Sequence, residues 1–170
     1  MLPKIFLIGY MGSGKSFWKN RLSKKYRIRG YDLDYLIEAF EEQTIAEIFE
    51  EKGESVFREK EASALRWFRE NKSFILATGG GTPCFHDNMD WMNRNGLTIW
   101  LDASPSVLTE RLIPEKKHRP IISHLSDNEI FEFISQQMNK RLPFYAKARI
   151  HIKEEQIGDE VFQSIFETNE

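Results

Sequence analysis

The 170-residue chain has little of several features that define other classes of protein. It has one cysteine, Cys84, so an internal disulfide is excluded and a reducing compartment such as the cytoplasm is expected. No apolar run approaches the roughly 18 residues that a membrane span needs, and the apolar N-terminal stretch is too short for a signal peptide. The formal net charge of -2 gives no basic excess for nucleic acid or an anionic membrane. We therefore expect a cytoplasmic protein that binds neither.

The pattern of apolar residues predicts an α/β fold. Hydrophobic residues make up 41% and charged residues 29%, as in a soluble globular domain, and the length suits one domain spanning residues 1–170. Short apolar runs predict strands at 5–8, 74–77, 97–101 and 150–152, and a further strand is expected before Asp32. Amphipathic segments between them predict helices, including 17–26, 35–41 and 88–94, the last ending before Gly96. Capping boxes at Thr44 and Ser126 predict two more helix starts. This alternation predicts a parallel sheet covered on both faces.

A phosphate-binding motif directly follows the first predicted strand. Residues 9–16 read Gly-Tyr-Met-Gly-Ser-Gly-Lys-Ser and match G-x-x-x-x-G-K-[ST]. Its glycines allow backbone N–H groups, including those of Gly12, Ser13 and Gly14, to converge on an anion. Lys15 is expected to reach the β- and γ-phosphates, and Ser16 to offer its hydroxyl to Mg²⁺. The alternative is an ordinary glycine-rich turn between a strand and a helix.

Two aspartates stand at the predicted second strand. Asp32 and Asp34 are two residues apart, so in an extended segment both side chains face the same way. One carboxylate is suited to steering Mg²⁺ through water, and the other to orienting or deprotonating an attacking hydroxyl. The alternative is a solvated turn in which Asp34 caps a helix that begins at Tyr35.

Glycines and arginines further along the chain suit an anionic acceptor. Gly79, Gly80 and Gly81 end a predicted strand, and a segment without side chains lets a substrate approach the backbone; a flexible loop is the alternative. Arg58 has the planar fork that suits a carboxylate, although it is also spaced to pair with Glu54 and Glu61 on one helix. Arg141 is equally explained as a favourable charge near a helix C-terminus.

Residues 114–126 form the longest stretch without clear periodicity. A basic loop of this length in a compact domain is a candidate lid. Arg111 and Arg119 flank or lie in it, where positive charge would offset the charge that develops during phosphoryl transfer. A solvated basic loop is the alternative.

Taken together, these segments resemble the shikimate kinase family over nearly the whole chain. The matching residues are 9–16, Asp32-Leu33-Asp34, 45–49, Gly53-Glu54, Phe57-Arg58, Glu61, 79–81, 119–122, Arg141 and Tyr145. The resemblance implies a P-loop fold like that of nucleoside monophosphate kinases, a three-layer sandwich with a five-stranded parallel sheet and a mobile lid at about 112–126. It implies transfer of the γ-phosphate of ATP to the 3-hydroxyl of shikimate, a step of chorismate and aromatic amino-acid biosynthesis, with Mg²⁺ and in a monomer.

The resemblance also implies roles for individual residues. Lys15, Asp34 and Arg119 would be catalytic, with Asp34 holding the accepting hydroxyl and serving as the base. Shikimate would contact Asp34, Arg58, Gly79, Gly80, Gly81 and Arg141, the two arginines gripping its carboxylate. ATP would contact Gly12, Ser13, Gly14, Lys15, Ser16, Arg111 and Arg119, and Mg²⁺ would be served by Ser16 and Asp32.

The chain departs from the family pattern in two places. The family usually continues G-K-S-T, whereas Ser16 is followed here by Phe17 and Trp18, so packing beneath the loop is expected to differ. Residues 152–157, on the expected adenine side, align with no secure pattern and carry no assigned contact. A related kinase such as a gluconate kinase, and an inactive nucleotide-binding regulatory protein, are the alternative functions.

Overall fold

The computed structural model describes residues 3–119 and 121–168. Within these residues, five parallel strands form one sheet in the order β2-β3-β1-β4-β5. The strands are β1 (Lys4–Ile8), β2 (Gly30–Asp32), β3 (Phe74–Ala77), β4 (Leu97–Asp102) and β5 (Ile150–Lys153). The predicted α/β class and the predicted strands are confirmed.

Helices connect the strands on both sides of the sheet. They are α1 (Lys15–Tyr26), α2 (Leu33–Glu41), α3 (Ile45–Arg66), α4 (Asn88–Asn95), α5 (Pro105–Leu112), α6 (Asp127–Tyr145) and α7 (Asp159–Thr168). Short 3-10 helices span Trp67–Glu70, Thr82–Cys84, Ile113–His118 and Glu154–Gln156. Gly53 kinks α3 at a φ of 82°. Among the described residues, no helix is both long and apolar enough to cross a membrane.

Alternation along β1 divides the core into two layers. Phe6 and Ile8 join a cluster that includes buried residues of α2, α3 and α4, whereas Ile5 and Leu7 join one that includes buried residues of α1 and α7. All four of these strand side chains are inaccessible to solvent. A strand with both faces buried is apolar at every position, which explains the unbroken run at 5–8. The molecule therefore has helix, sheet and helix layers.

The strand order brings three loops to one edge of the sheet. β1 lies centrally between β3 and β4, and in register Leu7 and Asp32 both lie beside Ala77 of β3. The segments that follow β1, β2 and β3 consequently meet at the carboxyl edge. In open α/β sheets this is where ligands bind.

Most predicted helix boundaries are confirmed, and two expectations need correction. Both capping boxes form, at Thr44 and at Ser126. The interpretation of Asp34 as a helix cap is wrong, because Asp32 is the extended residue before α2 and Asp34 lies in its first turn. The expectation that Asp32 and Asp34 project from one extended segment is wrong for the same reason.

The segment predicted as a lid without periodicity contains regular structure. The 3-10 helix Ile113–His118 follows α5 directly, and turns follow at residues 121–124. Pro114 lies at the start of this 3-10 helix, where its missing N–H costs nothing because that group would have no partner within the helix. Pro120, part of the predicted family motif, lies outside the described residues.

Candidate active site

The loop between β1 and α1 has the conformation that its glycines predict. Gly12 and Gly14 have φ values of 83° and 94°, in the left-handed region that favours glycine. Gly14 is the residue before α1, so the positive end of that helix opens into the loop. This arrangement is a ready anion-binding site.

Lys15, the first residue of α1, is buried beneath this loop. Its Nζ donates hydrogen bonds of 2.8 Å to the carbonyl oxygens of Gly9 and Tyr10. Burial lowers the pKa of Lys15 to about 8, against the opposing effect of Asp34 and Asp32. Its ammonium is thus held at the loop by neutral acceptors, which phosphate oxygens of higher charge would outcompete.

Ser16 and Asp32 are joined across the cleft. The Ser16 Oγ donates a hydrogen bond of 2.7 Å to Asp32 Oδ2. A hydroxyl and a carboxylate are hard oxygen ligands of the kind that Mg²⁺ accepts together with phosphates and water. Within residues 3–119 and 121–168, no group of three or more His, Cys, Asp or Glu side chains is arranged to hold a metal ion. The donors present therefore fit Mg²⁺ only as a partner of bound phosphate.

Asp34 is half-buried beside the phosphate loop. It lines a cavity of about 440 Å³ together with Lys15, Asp32, Gly79 and other loop residues. Burial, together with the negative charges of Glu61 and Asp32 and against the opposing effect of Lys15, raises the pKa of Asp34 to about 6. A carboxylate with a pKa close to neutrality suits a general base.

A second cavity, of about 420 Å³, lies against α3 and α6. It is lined by Tyr10, Met11, Asp34, Ile45, Phe49, Glu54, Phe57, Arg58, Glu61, Gly79, Gly80, Gly81, Arg119, Ile121, Phe133, Gln137 and Arg141. Aromatic and apolar walls with a few converging charged groups are typical of a small-molecule site. The structure thus brings Arg58 and Arg141, far apart in sequence, to one pocket.

Arg58 pairs with glutamates of its own helix and also lines the acceptor pocket, so both interpretations of this residue apply. Its Nη1 donates to Glu61 Oε1 at 2.9 Å, and its Nε and Nη2 donate to Glu54 Oε1 at 3.2 and 3.1 Å. Its guanidinium also lies 4.2 Å from the centre of the Phe85 ring. The predicted ion pairs on one helix are therefore confirmed, and they hold a planar fork at the pocket.

The glycine segment packs closely against both arginines. A Cβ on Gly81 would lie 2.5 Å from Arg58 Nη2, and one on Gly80 would lie 2.9 Å from Arg141 Nη1. The hydroxyl of Tyr145 donates to the Gly80 carbonyl at 2.5 Å. These contacts leave no room for side chains, so the alternative of a loosely placed flexible loop does not describe residues 80–81.

The arginines near the lid lie on the loop side of the site. Arg119 donates to Glu115 at 2.7 Å and lines both cavities, and its Nη1 lies 4.0 Å from Met11 Sδ. Arg111 donates to the Gly12 carbonyl at 3.1 Å and forms an ion pair with Glu154. Both positive charges therefore adjoin the phosphate loop.

Some residues that shape the site were not among the predicted catalytic or binding residues. Glu61 is fully buried and orients Arg58, and its spacing of three residues from Arg58 was the available signal. Glu154 and Ile157, in the segment without a recognisable pattern, line a third cavity with Gly12 and Arg111. No local sequence pattern predicts that Glu154 and Ile157 line this cavity, because their position depends on how the end of β5 packs against the phosphate loop.

A phosphate loop, a carboxylate of raised pKa and an arginine-lined pocket together define a P-loop phosphotransferase for a small anionic acceptor. The family model for shikimate kinase matches residues 11–170. A shikimate kinase of Phocaeicola vulgatus is 41% identical over 158 residues, covering 93% of this chain and 90% of that protein. The chain belongs to the shikimate kinase family, whose reaction is phosphorylation of shikimate by ATP.

Solved structures agree with this assignment. The crystal structure of shikimate kinase from Bacteroides thetaiotaomicron has a TM-score of 0.91 and 38% identity, covering 98% of this chain and 99% of that one. Shikimate kinase from Acinetobacter baumannii, in complex with shikimate, has a TM-score of 0.85 and 26% identity, covering 99% of this chain and 93% of that one. The predicted family, fold and kinase activity are confirmed, and nothing favours the gluconate kinase or regulatory alternatives.

Proposed function

We propose that this chain moves the γ-phosphate of ATP to the 3-hydroxyl of shikimate across the boundary between its two main cavities. The observation that carries the proposal is that the cavities share one wall. Met11, Asp34, Gly79, Gly80 and Arg119 line both of them. The shared wall puts a carboxylate between a phosphate loop and a pocket for an anionic acceptor.

Shikimate binds in the pocket that contains Arg58 and Arg141. Its carboxylate is held by the guanidinium groups, which offer paired N–H donors in a planar fork. The ring lies beside Gly79, Gly80 and Gly81, where the missing side chains permit close approach to the backbone. This orientation directs a ring hydroxyl toward Asp34.

Asp34 acts as the base. With a pKa of about 6 it is mostly ionised at neutral pH and accepts the proton of the 3-hydroxyl. The hydroxyl oxygen then forms a bond to the γ-phosphorus while the bond from that phosphorus to the β-bridging oxygen breaks, leaving ADP. The proton ends on Asp34 and returns to water after product release.

Positive groups stabilise the charge that moves toward the leaving oxygen. ATP lies on the loop at Gly12, Ser13 and Gly14, and the Lys15 ammonium leaves its carbonyl partners for the β- and γ-phosphates. Arg119 approaches from the lid and Arg111 from the opposite side of the loop. Groups of this kind act by preorganised electrostatics, the main source of catalysis in phosphoryl transfer.

Ser16 and Asp32 are the residues that would hold Mg²⁺. Their paired hydroxyl and carboxylate are hard oxygens next to the expected phosphate position, as Mg²⁺ requires. Bound there, the ion would neutralise part of the negative charge of the phosphates.

The wider expectations of the sequence stay predictions. They are a single kinase domain over residues 1–170, a lid at about 112–126 that closes to exclude water, a monomer, a cytoplasmic location and no binding of nucleic acid or membrane. Lid closure would limit hydrolysis of ATP by water.

A coupled assay of ADP release tests the proposal. The purified chain is given ATP and Mg²⁺ with shikimate, with gluconate, with a nucleoside monophosphate, or with no acceptor. We expect turnover with shikimate alone. Faster turnover with another acceptor would reassign the Arg58 and Arg141 pocket, and no turnover in a protein that binds ATP would support a regulatory role.

A further inference from the structure

Phe17 is an exposed aromatic side chain immediately after the phosphate loop. It lies in the first turn of α1, and 61% of its surface is exposed. A single exposed apolar residue needs no explanation in itself. Its position is informative because it follows Ser16, where the resemblance to the family leads one to expect threonine.

Two cavities meet at the Phe17 ring. One is the cavity of about 440 Å³ that contains Lys15 and Asp34. The other, of about 370 Å³, is lined by Gly12, Ser13, Gly14, Phe17, Trp18, Arg111, Glu154 and Ile157. Both are lined by Gly12, Gly14, Phe17 and Arg111. A groove therefore continues from Lys15, past Phe17, to the end of β5.

The two ends of this groove differ in chemistry. The end at Lys15 has a buried ammonium, hydroxyls and carboxylates, which suit phosphates and their metal ion. The far end has the side chains of Phe17, Trp18 and Ile157, with Arg111 fixed between the Gly12 carbonyl and Glu154. An aromatic and apolar surface next to a phosphate site suits the nucleoside part of a nucleotide.

Packing holds the Phe17 ring in place from one side. It meets Trp18 edge-on, with ring centres 5.4 Å apart and an interplanar angle of 89°. Trp18 in turn packs on the buried Phe162 of α7, with ring centres 4.7 Å apart. The ring is therefore supported from beneath while much of its surface faces solvent and the groove.

We propose that the Phe17 ring forms a wall of the nucleoside end of the ATP site and packs against the ribose and base of the bound nucleotide. The inference rests on the proposed function, since it assumes that ATP phosphates lie on the loop. It gives this chain an apolar contact with the nucleotide that a threonine at position 17 would not provide. The contact acts on nucleotide affinity and leaves the phosphate contacts unchanged.

Isothermal titration calorimetry tests this role by comparing a ligand that contains a nucleoside with one that lacks it. ADP and inorganic tripolyphosphate are titrated into the unaltered chain and into the Phe17→Ala, Phe17→Thr and Phe17→Tyr variants. We expect the Ala and Thr variants to raise the Kd for ADP by about 5- to 150-fold, the range for loss of an aromatic contact with a base. The Kd for tripolyphosphate should change by less than about twofold, and Tyr should restore ADP affinity.

Phe40→Ala is the matched control. Phe40 is also exposed, at 51%, and also meets a tryptophan edge-on, but its partner is Trp67 on a surface groove between α2 and α3. Its removal should leave both dissociation constants unchanged. An unaltered Kd for ADP in Phe17→Ala would overturn the proposal, as would equal losses for ADP and tripolyphosphate, which would mean that Phe17 acts through the loop.

The experiment separates this proposal from the proposed function. Failure of the unaltered chain to phosphorylate shikimate would refute the proposed function, while binding of ADP would still decide the role of Phe17. An unchanged Kd for ADP in Phe17→Ala, in a chain that does phosphorylate shikimate, would overturn the inference alone.

Discussion

Thr82 donates a hydrogen bond of 2.7 Å to Oε2 of the buried Glu61 carboxylate. The other oxygen of that carboxylate accepts from Arg58, so Glu61 connects the glycine segment to the arginine of the acceptor pocket. A buried charge is tolerated only when it is paired and hydrogen-bonded. Arg58 is consequently held in one orientation by its surroundings before any ligand arrives.

Arg58→Lys tests the carboxylate role without leaving Glu61 unpaired. A lysine keeps the positive charge but loses the planar fork, so we expect KM for shikimate to rise by about 10- to 100-fold, as for loss of one charged hydrogen-bonding contact. KM for ATP should change little. Replacement of the exposed Arg69 by lysine, on the 3-10 helix Trp67–Glu70, is the control and should behave as the parent. Equal rises for both substrates would contradict the assignment.

Gly81→Ala should weaken shikimate binding by displacing an arginine. The new Cβ would lie 2.5 Å from Arg58 Nη2, a distance that forces the guanidinium to move. We expect KM for shikimate to rise by about tenfold or more, since misplacement of about 1 Å is costly in a preorganised site. Gly158→Ala is the control, because its Cβ would meet no atom within 4 Å. Steady-state kinetics with each substrate varied in turn would show both effects, and normal kinetics for Gly81→Ala would refute the tight packing.

The raised pKa of Asp34 predicts that kcat/KM for shikimate falls at acidic pH. Because its pKa is raised to about 6, the base is lost by protonation as pH falls through that value. We expect kcat/KM for shikimate to be level above about pH 7 and to fall about tenfold per pH unit below about 6. Asp34→Asn should lower kcat by about 100-fold or more and remove this fall at acidic pH. A mutant with near-normal turnover would remove Asp34 as the base.

Ionised Asp34 should also lower the free energy of unfolding of the protein. The pKa of Asp34 lies above its ordinary value of 3.8, so between about pH 4 and 6 the folded chain binds more protons than the unfolded chain. Stability from this group therefore decreases as pH rises through that window. Chemical denaturation at about pH 8 should show Asp34→Asn to be more stable by about 1–3 kcal/mol, with the difference shrinking below about pH 4. The exposed Glu132→Gln on α6 should show no such gain.

Arg119→Ala should lower the rate of phosphate transfer more than it lowers ATP affinity. Its guanidinium lines both cavities and is positioned to meet charge that develops in the transition state. Loss of one such group costs about 100- to 1,000-fold in kcat. Lys117→Ala removes an exposed charge from the same segment and should have little effect. A similar loss in both variants would indicate that only the net charge of the lid matters.

Local sequence patterns were sufficient for the features that depend on neighbours along the chain. The phosphate loop requires glycines at fixed positions, the capping boxes at Thr44 and Ser126 require residues three apart, and the buried strand at 5–8 requires an apolar side chain at each position. Each of these signals is local, so the pattern was sufficient. The resemblance to the shikimate kinase family added the grouping of Arg58, Arg141 and the glycines in one pocket.

Tertiary structure decided what depends on segments distant in sequence. The start of α2 at Leu33, and not at Tyr35, follows from the extended backbone of Asp32 beside β3. The raised pKa of Asp34 needs burial and the charge of Glu61, and the link from Thr82 to Glu61 spans 21 residues. The groove past Phe17 needs the end of β5 to meet the phosphate loop. Burial, charge proximity and cavity shape arise only when the layers pack, which is why no local pattern could contain them.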